Sequence, residues 1–154
     1  MSAQDLLDAA REPEPLRGLD ALLAAPRDFE TIAVEVAVGN ALGRIAITEL
    51  PGGEWAELWS RAWPPRPGVA DDYKVGFGCN VQTLIAQYPV SRIAVDGVHP
   101  TEEQWRELCD LIGAPAWSDL TAALWWIHVG QPMENTQVLL EMEARAREKE
   151  ASDG

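Results

Sequence analysis

This chain of 154 residues is short of the residues on which most small-protein chemistry rests. Its two cysteines, Cys79 and Cys109, have no C-x-x-C spacing and are too few for a disulfide framework, which predicts two reduced, buried thiols. Its two histidines, His99 and His128, stand at no metal-ligand spacing from a Cys, an Asp or each other. Positive charge is scarce as well. Lys and Arg together number 12 against 25 acids, for a formal net charge of −13. Such a chain repels a phosphate backbone and an anionic bilayer surface, so neither nucleic acid nor membrane is expected as a partner. The most apolar run, Thr121 to Gly130, falls far short of the ~20 residues that span a bilayer. The start, MSAQDLLDAAREPEP, is acidic and has no basic stretch or apolar core, so it does not read as an export signal and the protein is expected in the cytosol.

Catalytic signatures are missing too. There is no G-x-S-x-G elbow and no G-K-S/T phosphate loop, and Gly76-Phe77-Gly78 is half of a dinucleotide fingerprint. Asp96 and His99 have the chemistry of a base and its orienter, yet Gly97 and Pro100 make that segment a turn leading into a helix. The carboxylate pairs Asp71-Asp72, Glu102-Glu103 and Glu141/Glu143 read as solvated, because adjacent acids arise freely in so acidic a chain. No catalytic, cofactor-binding or metal-ligating residue is assigned, and the expectation is a non-enzymatic protein that needs no cofactor.

What the chain has is a foldable middle. With 47% hydrophobic and 24% charged residues it matches soluble globular composition, and its length suits one core. Arginine outnumbers lysine ten to two, which with abundant Ala, Pro and Trp suggests a GC-rich genome. Residues Ala3 to Arg11 and Leu16 to Ala25 offer two short helical patterns, broken by Pro13, Pro15 and Pro26. In TIAVEVAV the period is two, and after GNALG it resumes in RIAITEL, so Thr31 to Leu50 is a β-hairpin. Trp55, Leu58, Trp59, Ala62 and Trp63 then recur at helical spacing, predicting an aromatic face packed on the hairpin. PPRPGVADD is a Pro-rich loop, and YKVGFGCN carries no assignable period. VQTLIAQY reads as a short helix, and Val90 to Val95 as a brief extended run. Thr101 with Gln104 forms a capping box for a helix whose stripe is Trp105, Leu108, Cys109 and Ile112. A further helix runs from about Ala116 to Val129, and a charged, helix-prone segment follows from about Met133, with Glu141/Arg145 and Glu143/Arg147 as i,i+4 pairs. The expected class is α+β, mainly α: an N-terminal β-hairpin followed by a small bundle of four or five helices. Residues 1–28 form a loosely attached helical segment, 29–130 the core domain, and 131–154 a charged helix or tail.

Four indoles crowd the stretch from Trp105 to Trp126. Trp117, Leu120, Leu124 and Ile127 make a stripe that should meet that of Trp105, Leu108 and Ile112 as a helical hairpin. Trp125, Trp126, Ala122 and Val129 then lie on the other side of the same helix, and a helix apolar on both sides must be covered twice. The second cover is first of all Val138 to Met142, folding back across Gly130-Gln131-Pro132, and another chain is an alternative that does not exclude it, since paired indoles anchor interfaces. Those four residues are the candidate partner-binding surface.

The segments ITELPGGEWAELW, DDYKVGFGCNVQTLIAQYPV, VDGVHPTEEQWRELCDLI and AWSDLTAALWWIH, from about Arg44 to His128, resemble the tail assembly chaperones of long-tailed bacteriophages, especially those of actinobacterial hosts. The resemblance lies in aromatic and helical positions and carries no catalytic signature. It implies a small, mostly helical protein of the host cytoplasm, without enzymatic activity. Such a protein binds the tape measure protein, keeps it soluble, promotes polymerisation of tail tube protein around it, and is absent from the mature virion. Self-association is a further option. The alternative from another class is an acidic adaptor or immunity-type protein that neutralises a basic protein partner.

Overall fold

The computed structural model describes residues 14–153. The described residues separate into two compact units, residues 28–131 and the pairing of residues 14–27 with 132–153. In chain order the elements are α1 (Leu19–Ala24), β1 (Thr31–Val38), β2 (Ala41–Thr48), α2 (Gly52–Arg61), α3 (Val81–Ala86), β3 (Ile93–Val95), α4 (Glu102–Leu111), α5 (Ala114–Trp125) and α6 (Gln131–Asp153). The fold is α+β and mainly α. The N-terminal pattern Ala3 to Arg11 lies outside the described residues.

The hairpin forms as its period requires and gains a third strand, giving an antiparallel sheet of order β1-β2-β3. The register pairs Ile32 with Ile47 and Val34 with Ile45, then Ile45 with Val95 and Ile47 with Ile93, so every branched side chain of one parity faces the core. The opposite face is small and polar. Ala33, Ala46 and Ala94 stand in one cross-strand row, the Thr31 and Thr48 hydroxyls meet at 2.8 Å, and Arg44 pairs with Glu35 at 2.7 Å. The outer edge of β3 is closed by its own chain: Val95 and Val98 exchange backbone hydrogen bonds of 2.8 and 3.1 Å, and the His99 ring lies with Nδ1 2.6 Å from the Ile93 carbonyl.

The short helix α3 is the hub. Leu84 and Ile85 are fully buried, and α2, α4 and α5 all pack on it, while α5 also packs on β1. This corrects the expected hairpin of α4 against α5. Trp105 is buried as expected, but its indole N–H donates to the Ile85 carbonyl of α3 at 2.9 Å, whereas Trp117 is only half-buried. Indoles bury readily only where the N–H finds an acceptor, and α3 supplies one. The Thr101–Gln104 capping box is present, with bonds of 3.1 and 3.0 Å, and Cys79 and Cys109 are both buried and free.

Two further corrections come from helix ends. Trp63 is 62% exposed rather than part of the aromatic face, because α2 stops at Arg61 ahead of Pro64-Pro65 and the next turn never forms. Gly130-Gln131-Pro132 is not a reverse turn. Trp126–Gly130 is a π-helical turn, with the Gln131 N–H bonded to the Trp126 carbonyl, and α6 begins at once. Pro132 explains the widened turn, since it lacks an N–H and its ring would press on the carbonyl of His128, four residues earlier.

In the other unit, α1 and α6 carry no buried residue. Leu16, Leu19, Leu22 and Leu23 are exposed, as are Met133, Val138, Leu139 and Leu140 of α6. Arg17 makes a two-pronged ion pair with Glu143, which Arg147 joins at 3.3 Å.

Candidate functional site

The indole face within residues 28–131 is partly covered from within its own unit. Its cover is the loop that gave no readable period, YKVGFGCN. The Trp125 N–H donates to the Val75 carbonyl at 2.7 Å, and the Lys74 ammonium sits 4.5 Å from the Trp125 ring centroid. Gly76, at φ +88°, lies so close to Val129 that a Cβ there would overlap the valine methyls. From the other side, the Trp59 N–H of α2 bonds the Phe77 carbonyl, and Phe77 itself is buried. The loop is thus strapped between α2 and the end of α5. Its sequence signal is the pair Gly76 and Gly78, both in the left-handed region that glycine enters without strain.

The four residues assigned to a partner therefore divide. Trp125 and Val129 are half-buried under the strap, while Trp126 is 40% exposed and Ala122 is open beside it. Gly130 makes the pair of indoles possible: a Cβ there would stand 2.7 Å from ring atoms of both Trp125 and Trp126.

Several of the titratable residues singled out in the sequence hold contacts within the fold. His128 stacks on Trp55 at 3.9 Å and 12°, takes the Leu50 N–H on Nε2 at 3.0 Å, and turns Nδ1 to the Leu124 carbonyl at 2.9 Å. Nε2 as acceptor and Nδ1 as donor define a neutral ring. Burial pushes its pKa down to about 4, against the raising effect of the Leu124 carbonyl. Asp72 corrects the solvated reading of Asp71-Asp72, because it is fully buried. Burial alone would raise its pKa, but the Arg66 side chain and the N–H groups of Arg66 and Val81 outweigh this and hold it below the ordinary carboxylate range. Arg66 Nε and Nη2 reach Asp72 at 2.8 and 2.9 Å, and the two N–H groups at 2.8 and 3.2 Å, so all its acceptor positions tie the Pro-rich loop to the start of α3. Glu102 pairs with Arg106 at 3.8 Å on the surface, and Glu143 belongs to the Arg17–Arg147 cluster. His99 bonds Ile93 rather than Asp96, whose Oδ2 instead lies 3.4 Å from the Arg44 nitrogen. Among the described residues no three His, Cys, Asp or Glu side chains are grouped to hold a metal.

A second surface, absent from the sequence reading, lies where the sheet meets α4. Two apolar hollows of about 210 and about 350 Å³ share Val95 and Leu108. One is floored by Val36, Val38 and Ile45 and flanked by Leu42. The other runs between Val98 and Leu111. Leu42, Val98 and Leu111 are 80%, 68% and 58% exposed, and the only charged groups in the lining are Asp96 and Glu107. Gly43, opposite Val36, leaves the floor open. The hollow was illegible because its lining comes from two stretches far apart in sequence, the β1–β2 hairpin and the run from β3 through α4.

Comparison with protein-family models, with curated proteins and with solved structures gives no match.

Proposed function

We propose that this protein is a tail assembly chaperone of a long-tailed bacteriophage, which binds the tape measure protein in the host cytoplasm and holds it soluble while tail tube protein polymerises. The observation that carries this reading is apolar surface left open on a chain of net charge −13: Trp126, the Leu42–Val98–Leu111 hollow, and the leucines of α1 and α6. A protein that only had to fold would bury such groups, and a client rich in amphipathic helices offers them a partner. The negative charge keeps the loaded complex dispersed. The aromatic pattern from Arg44 to His128 supports the same class. No reaction is assigned, and none of the site residues is given a catalytic role.

The test is co-expression with the long tape measure protein encoded by the same phage or prophage. The client should move from the insoluble to the soluble fraction and co-purify with this chain. A client that stays insoluble overturns the reading. The competing adaptor reading, in which acidity alone captures a basic partner, requires binding that collapses as salt rises; a chaperone contact centred on apolar groups persists.

A further inference from the structure

We infer that the hollow between the sheet and α4 is a docking groove for an amphipathic helix whose apolar face is flanked by Lys or Arg. The inference rests on the chaperone reading for its biological client, but its geometry stands apart from it.

Three observations fix the occupant. First, the floor and walls are apolar, with Val36, Val38, Val95 and Leu108 below and the exposed Leu42, Val98 and Leu111 at the rim. Such a surface is matched by aliphatic side chains. Second, the occupant cannot enter as an added strand on this side of the sheet, because Val98 and His99 already occupy the outward backbone groups of Val95 and Ile93. An incoming segment must present side chains rather than backbone, which is what a helix in a groove does. Third, Asp96 and Glu107 line the groove, no Lys or Arg lines it, and neither carboxylate makes an ion pair among the described residues. Cationic flanks would complement them, and an acidic helix would be repelled.

The Trp126 surface offers no comparable specificity. It shows one exposed ring beside the exposed Ala122. Trp126 is therefore accessory, and the groove selects.

The experiment uses the full chain and two synthetic amphipathic peptides with the same Leu/Ala face, one flanked by Lys and one by Glu. Binding is read by fluorescence anisotropy and by amide chemical-shift mapping. The Lys-flanked peptide should bind and shift the amides of Leu42, Val95, Val98, Leu108 and Leu111, and the Glu-flanked one should bind several-fold more weakly. Val98→Asp and Leu111→Glu, both at exposed positions, should cut affinity about tenfold, the scale of an interface anchor. Glu107→Lys should lower affinity for the Lys-flanked peptide by about threefold to fivefold, the scale of a rim charge pair, and raise it for the Glu-flanked one. Absence of binding, equal binding of both peptides, or shifts confined to Trp126 and Ala122 would each overturn the groove. The two proposals fail separately. Client protection that survives Val98→Asp and Leu111→Glu sinks the groove and spares the chaperone, whereas peptide binding in the groove with an unprotected client does the reverse.

Discussion

His128 is neutral because two neighbours require it: Leu50 must donate to one ring nitrogen and Leu124 must accept from the other. With its pKa pushed down to about 4, against about 6.5 in the unfolded chain, the unfolded state takes up a proton over that window and the folded state does not. Stability is therefore expected to fall as pH drops from about 6.5 to about 4, by up to about 3 kcal/mol, measured by urea denaturation across a pH series. His128→Asn should flatten that segment of the profile. Asp72 works in the same direction, lower on the scale. Its depressed pKa means that its contribution is present above the ordinary carboxylate range and is lost only as pH falls through the folded value. Removing it leaves Arg66 and two N–H groups without their acceptor, so Asp72→Ala should destabilise by about 3 kcal/mol in the same assay at neutral pH. Sequence alone left these two residues as a helix-borne histidine and one acid of many. Nothing local in ADDY marks one aspartate as buried; the mark is Arg66, six residues away, in a loop whose path only tertiary structure fixes.

At the scale of elements, period and capping were readable wherever the determining contacts are local. The hairpin, the Thr101 capping box and the stripe Leu120, Leu124 and Ile127 follow from spacing, because side-chain geometry within one element decides them. Element pairing was less legible. The choice of α3 rather than α5 as the partner of α4 turns on one acceptor, the Ile85 carbonyl, and periodicity carries no information on carbonyls. The strap over Trp125 was opaque for a related reason: it is held by two indole N–H groups, Lys74 and a close glycine contact, none of which has a period. Its consequence is testable. Trp125→Ala should release the strap and cost about 2 kcal/mol, less than for a fully buried indole, while Trp126→Ala should leave thermal stability nearly unchanged. Gly130→Ala forces two rings apart in the widened turn and should cost about 1–3 kcal/mol, with loss of the Trp125 indole proton resonance position as the local readout.

For the whole molecule, the charge imbalance and the open apolar surface pull in opposite directions, and together they define its behaviour in solution. A chain at −13 resists self-aggregation even with exposed leucines, so it can keep apolar surface free for a partner. Raising salt should weaken that protection. Light scattering is expected to rise with ionic strength for the free protein, and the Lys-flanked peptide should suppress the rise by filling the groove.

The seven tryptophans also differ enough in surroundings to act as instruments. Trp105 is sealed in the core, and Trp63 and Trp126 face water, so a diffusing quencher reaches two rings long before the third. Trp55 lies flat against the His128 imidazole, and a protonated imidazole drains the excited state of a neighbouring indole. Acid titration followed by emission would thus record the charging of one histidine directly. Any cover laid over the exposed Trp126 would announce itself by a blue shift, with no label attached.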